Sequence, residues 1–119
     1  MNENEPLESE AIARLRRLGG DAFVQKMIDI YLDFVPAKIA AARAGMLSGD
    51  LKAVADAVHP LKSSSGGIGA GLLFDLTARI EKLAMKKQSA TLPELMDELD
   101  AAFAQVRSRL EAVRQIVKP

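Results

Sequence analysis

The sequence predicts an all-α protein: an antiparallel up-and-down four-helix bundle with a short additional N-terminal helix. Residues that favour helices, chiefly Ala, Leu, Glu, Lys, Arg and Met, dominate the sequence, and aromatic residues make up only 4% of it. Apolar residues recur three and four positions apart in successive segments, which is the spacing of one helix face. Short turns separate these segments, so neighbouring helices should run antiparallel.

The first two helices are predicted on either side of a Gly-Gly-Asp turn. A short helix is expected over about residues 7–18, and the second over about residues 22–47, with Asp21 as its cap. Pro36 lies inside the second helix and should kink it, because proline removes one backbone hydrogen bond and crowds a carbonyl.

Three more helices complete the prediction. Asp50 should cap a third helix that begins near Leu51, and a fourth is expected over about residues 70–87. The last helix begins near Leu92, after a break for which Thr91 is the candidate cap. No internal repeat separates the chain into parts. Residues 1–119 are therefore expected to form one domain, with its core at about 7–117.

Composition and charge restrict the classes of function. Hydrophobic residues make up 49% and charged residues 27%, as in ordinary globular domains. The 16 basic residues balance 16 acidic ones, which argues against nucleic acid or an anionic membrane as the main partner. The absence of cysteine excludes disulfides, thiolate metal sites and cysteine nucleophiles.

The chain is expected to be cytoplasmic. No apolar run approaches the roughly 20 residues that span a bilayer. The acidic start of the chain, MNENEPLESE, lacks the basic and then apolar order of a signal peptide. Met1 and the short tails favour a free-standing module, and a monomer is the default expectation, because one histidine per bundle suffices.

The segment DAVHPLKSSSGGIGA, residues 56–70, contains the only histidine, His59. If Val58 and Leu61 face the core, helical geometry turns His59 about 100° away from Val58 toward water. Lys62 lies one turn later on the same side. The small residues at 63–67 are poor helix formers, which favours close approach by another protein, although a frayed helix end would have the same composition.

An exposed imidazole in this setting suits few reactions. Metal binding is not expected, because the chain has no cysteine and no second histidine. Acid–base catalysis would use an orienting carboxylate, for which Asp56 is a candidate, but the bundle implies no deep pocket. Phosphate acceptance needs little else, since neutral imidazole is nucleophilic near pH 7 and a partner can bring the activated phosphoryl group. Lys62 would then balance the phosphate charge.

The segment HPLKSSSGGIG, residues 59–69, resembles the signature of histidine-containing phosphotransfer (HPt) domains of bacterial phosphorelays. That signature runs His, any residue, Leu, Lys, usually Gly, and then small residues that end in an apolar residue and Gly. The SGD turn at 48–50 and the segment IEKLA at 80–84 are also similar to the family. The resemblance covers about residues 15–113.

The resemblance implies that His59 takes a phosphoryl group, through Nε2, from the aspartyl phosphate of a receiver domain and passes it to another receiver aspartate. Lys62, Ser63, Gly66 and Gly69 would stabilise the phosphate or contact the partner. The receiver domain would supply Mg²⁺, so the chain would need no cofactor and no metal of its own. Without an ATP site, the chain would be a phosphocarrier rather than an enzyme. Its expected partners are response-regulator receiver domains, with a hybrid sensor kinase as a further candidate.

Two residues depart from the family pattern. Ser63 stands where glycine is usual, and its side chain is small enough to keep the docking surface. Pro60 should either kink the helix or break it and re-aim His59; the apolar spacing stays in phase across residue 60, which favours the kink. Two alternatives remain open: a receiver-docking module that is not phosphorylated, and a structural or adaptor bundle.

Overall fold

Four α-helices make up the computed structural model, which describes residues 9–116. They are α1 (Glu10–Ser48), α2 (Leu51–Ile68), α3 (Gly71–Met85) and α4 (Leu92–Ile116). Helix α2 packs against α1 and α3, and α4 closes the bundle by packing against the same two helices. The all-helical fold class is confirmed. The outermost residues of the predicted single domain, 1–8 and 117–119, lie outside the described part of the chain.

The contacts between helices show that neighbours run antiparallel. Tyr31 of α1 contacts Ser65 of α2, whereas Gly45, further along α1, lies against Ala53 near the start of α2. Arg43 and Arg114 make ion pairs between α1 and α4 in the same reversed order, with Asp100 and Asp29 respectively. None of the helices between residues 9 and 116 has the length and hydropathy needed to cross a membrane.

Helix α1 contains the predicted break after the N-terminal helix. The backbone leaves helical geometry at one residue, Gly20, where φ is 78° and ψ is −173°. The short N-terminal helix is therefore the first segment of α1, and Ser9 caps it by accepting a hydrogen bond from the Ile12 amide at 3.2 Å. Asp21, the predicted cap after the break, accepts a hydrogen bond from Arg16 Nε at 2.8 Å. The helix continues through Pro36.

Helix α2 has defined ends and an uninterrupted middle. Asp50 caps its start as predicted, since Asp50 Oδ1 accepts a hydrogen bond from the Ala53 amide at 3.0 Å. Gly69 ends it in the left-handed conformation, with φ 84°, which favours glycine. Pro60 lies inside the helix, which runs on to Ile68. The chain is therefore not broken beside His59.

The core contains one buried polar contact between α1 and α2. The hydroxyl groups of Tyr31 and Ser65 are hydrogen-bonded at 2.8 Å, and Ser65 is fully buried four residues after the core residue Leu61. Burial raises the pKa of Tyr31 to about 12, although the hydrogen bond with Ser65 by itself lowers this pKa. The phenol is therefore protonated at neutral pH and can donate to Ser65.

Replacing Ser65 with alanine should destabilise the bundle by about 1–3 kcal/mol, because the buried Tyr31 hydroxyl would lose its partner. The double variant with Tyr31→Phe should recover most of this loss, since it removes the orphaned hydroxyl as well. Urea denaturation of the wild type, both single variants and the double variant measures the coupling. Strictly additive effects of the two substitutions would contradict this account of the contact.

Candidate functional site

His59 lies at the middle of α2, on the face turned away from the core. Its side chain is 68% exposed, whereas the preceding Val58 is fully buried. Lys52, Asp56, Ser63 and Gly66 are exposed along the same stripe of the helix. The predicted orientation of the histidine is confirmed, and its cause is the helical repeat that places Val58 and Leu61 in the core.

A carboxylate from α3 holds the imidazole. Glu81 Oε2 lies 2.6 Å from His59 Nδ1, and Glu81 Oε1 lies 2.6 Å from Lys62 Nζ. The Glu81 side chain is only 12% exposed. It extends from α3, directly after the fully buried Ile80, to His59 and Lys62 of α2. One carboxylate therefore joins the histidine and the lysine that the sequence motif places one turn apart.

The charge of Glu81 determines which nitrogen of a neutral His59 ring carries the proton. Burial raises the pKa of the Glu81 carboxyl, but the hydrogen bonds from Lys62 and His59 outweigh that effect and lower the pKa overall. The group is thus an ionised carboxylate at neutral pH and can only accept hydrogen bonds. The neutral imidazole must therefore carry its proton on Nδ1 and donate it to Glu81, which leaves a lone pair on Nε2.

The structure brings together most of the site residues predicted from the sequence. Lys62 is partly exposed, and Ser63 and Gly66 are exposed one and two turns beyond His59. Gly69 is different, because it lies ten residues beyond His59, about 15 Å along the helix axis. A Cβ atom at Gly69 would approach Ser9 Oγ to 2.6 Å, so its position in the fold requires glycine. A docking role for Gly69 stays a prediction.

The orienting carboxylate was assigned wrongly from the sequence. Asp56 was the candidate, but its carboxylate pairs with Lys52 Nζ at 2.8 Å. Glu81 makes the contact with His59 and was not singled out, although it lies in the IEKLA segment that carries part of the family resemblance. The available signal was an acidic residue directly after a core position of the neighbouring helix. Its partner depends on how α2 and α3 are aligned.

These features define a class of protein. A helical bundle presents an imidazole on its surface, with one ring nitrogen hydrogen-bonded to a carboxylate and an ammonium group beside that carboxylate. Such a ring is a nucleophile toward an electrophile that another protein delivers, and a nearby cation suits an anionic electrophile.

Comparison with known proteins agrees with this class. The model of the Hpt domain family matches residues 26–115, and the chain belongs to that family. Its role is that of a histidine phosphotransfer carrier in a phosphorelay. The fold is similar to the crystal structure of histidine-containing phosphotransfer protein B (HptB) from Pseudomonas aeruginosa PAO1, with a TM-score of 0.86 and 22% sequence identity over 90% of this chain and 92% of that one. A comparison with curated protein sequences found no match.

Proposed function

We propose that His59 Nε2 accepts a phosphoryl group from the aspartyl phosphate of a receiver domain and passes it to an aspartate of a second receiver domain. The observation that supports this most directly is the hydrogen bond between His59 Nδ1 and Glu81 Oε2 at 2.6 Å. It selects the tautomer in which Nε2 has a free lone pair, on a side chain that is 68% exposed.

The transfer balances without any proton leaving the ring. The Nε2 lone pair forms the new bond to phosphorus, the bond between phosphorus and the aspartyl oxygen breaks, and its electron pair stays on the receiver carboxylate. The phosphorylated ring keeps its proton on Nδ1 and so becomes positively charged. The Glu81 carboxylate stabilises this charge through the same hydrogen bond. Transfer to the second receiver domain is the reverse of these events.

The other predicted site residues take supporting roles in this proposal. Lys62 can turn its ammonium group from Glu81 toward the arriving phosphate, because it lies one turn from His59 and is partly exposed. Ser63 and Gly66 have small or no side chains, so the surface beyond His59 does not obstruct the close approach of a partner. The receiver domain supplies Mg²⁺. The chain acts as a cytoplasmic, monomeric phosphocarrier without enzymatic activity or a cofactor of its own.

The experiment incubates the protein with receiver domains that have been phosphorylated with radiolabelled acetyl phosphate and then freed of the reagent. The chain should acquire label that is lost in acid and kept in base, as a phosphorus–nitrogen bond requires. Addition of a second, unlabelled receiver domain should then remove the label from the chain. Binding without label would instead support a docking module, and no binding to any receiver domain would support an adaptor bundle.

A further inference from the structure

Three lysines at the C-terminal end of α3 form a second basic feature beside the histidine, which we call the basic rim: Lys82, Lys86 and Lys87. All three are exposed, and within residues 9–116 none of them makes an ion pair. Lys52 and Lys62, by contrast, are held by Asp56 and Glu81. The rim therefore carries three positive charges that the fold does not neutralise.

The basic rim lies on both sides of the carboxylate that holds His59. Lys87 lines the same surface groove as His59 and Glu81. Lys82 and Lys86 line a second groove together with Lys62 and Glu81. Lys86 lies five positions after Glu81, which corresponds to a rise of about 7.5 Å along a helix axis. The three charges thus lie around the carboxylate that contacts His59, and Lys87 shares a groove with the ring, so they can act on an anion at His59.

The backbone at Lys87 gives a second, independent observation. Its φ of 58° makes Lys87 the only residue other than glycine with positive φ between residues 9 and 116. The Lys87 amide donates to the Ala84 carbonyl at 3.1 Å, so Lys87 occupies the position after the helix where glycine is favoured. Cations near a helix C-terminus interact well with the helix dipole, and Lys82 and Lys86 already provide them. That effect does not explain a lysine at a position that suits glycine.

We propose that the basic rim is a docking surface for the anionic face of a phosphorylated receiver domain. This inference rests on the proposed function, because the aspartyl phosphate brought to His59 is itself an anion. The whole chain has a formal net charge of zero, so its overall charge cannot attract such a partner. Local positive charge at the rim can raise the rate of encounter and orient the phosphate toward His59.

The test measures the second-order rate constant of phosphate transfer from a labelled receiver domain that phosphorylates the wild type. Four proteins are compared: the wild type, Lys87→Gly, the triple variant with Lys82, Lys86 and Lys87 changed to Gln, and Lys26→Gln. Lys26 is the matched control, because it is an exposed lysine on a different helix, α1. It lies five residues before Tyr31, which contacts Ser65 of α2, six residues after His59. Each rate is measured from about 20 mM to 500 mM NaCl.

At low salt the triple variant should be at least about tenfold slower than the wild type, and the difference should shrink as salt is added. Lys87→Gly should be about threefold slower although its melting temperature rises, since glycine relieves the backbone while the charge is lost. Lys26→Gln should match the wild type. Equal rates for the wild type and the triple variant would overturn the docking role and leave phosphate acceptance by His59 intact. A wild type that takes phosphate from no receiver domain would overturn both proposals.

Discussion

Replacement of His59 with glutamine should abolish phosphate uptake and leave the fold unchanged. His59 is the only histidine in the chain, so no other residue can form a phosphohistidine. The ring is 68% exposed and fills no part of the core, and the glutamine amide can still donate a hydrogen bond to Glu81. Surface substitutions of this kind usually change the free energy of unfolding by less than about 0.5 kcal/mol.

The measurement is the amount of acid-labile, base-stable label on the variant after incubation with the phosphorylated receiver domain. Circular dichroism and the melting temperature should match those of the wild type. Receiver binding should persist, because the variant loses one side chain of a larger contact surface. Label of the same chemical stability on His59→Gln would show that another residue accepts the phosphoryl group.

Removal of the Glu81 carboxylate should have the second largest effect on transfer. In Glu81→Ala the imidazole loses the acceptor that keeps the proton on Nδ1, and the phosphorylated ring loses its countercharge. Loss of a carboxylate that orients a functional histidine costs about 10–100-fold in metal sites, and we expect a similar decrease in the transfer rate here. This corresponds to about 1.4–2.7 kcal/mol in the activation free energy.

Glu81→Gln separates hydrogen bonding from charge. The glutamine oxygen can still accept the proton of His59 Nδ1, but it cannot balance a positive ring, so its transfer rate should lie between those of the wild type and Glu81→Ala. The matched control is Glu98→Gln, an exposed acidic residue on α4, a helix that packs against α1 and α3. Equal rates for the wild type and Glu81→Ala would contradict the positioning role of Glu81.

The lowered pKa of Glu81 makes the folding stability of the protein depend on pH. The carboxyl is ionised in the fold above its ordinary pKa of 4.5 and stays so somewhat below that value. Its contribution to folding stability is therefore present above pH 4.5 and is lost as the pH falls through its lower pKa in the fold. The part of the stability difference between the wild type and Glu81→Gln that comes from this carboxyl should accordingly decrease as the pH falls below about 4.5.

The parts of the fold that depend on local sequence were predictable. Asp50 and the Gly-Gly-Asp break act within a few residues of themselves, so their positions in the chain reveal their roles. The exposure of His59 and the burial of Ser65 follow from the phase of the apolar residues on one helix. Each of these predictions needed only the 3.6-residue repeat and the preferences of cap residues.

The contacts of the site itself depend on the alignment of α2 with α3 along their axes. This alignment cannot be inferred from the apolar pattern of either helix alone. Asp56 is a candidate orienting residue because it is close to His59 in sequence, yet Glu81, 22 residues away, makes the contact. A shift of α3 by one turn would have brought a different side chain to the ring. Gly69 is a different case. Its place in the motif indicated a role in docking, whereas its left-handed backbone at the end of α2 explains why glycine is needed there.

The ring and the two side chains of the His59–Glu81–Lys62 contact all lie on helices. His59 and Lys62 belong to α2, and Glu81 belongs to α3, so the contacts of the ring are made by two helices that pack against each other. Under the proposed function, a donor and a recipient receiver domain would contact this same surface, and transfer to the recipient would repeat the bond changes of uptake in the opposite order. The direction of net transfer would then depend on the phosphorylated fraction of each partner and on the equilibrium constants of the two transfer steps. The proposed transfer can therefore run in both directions.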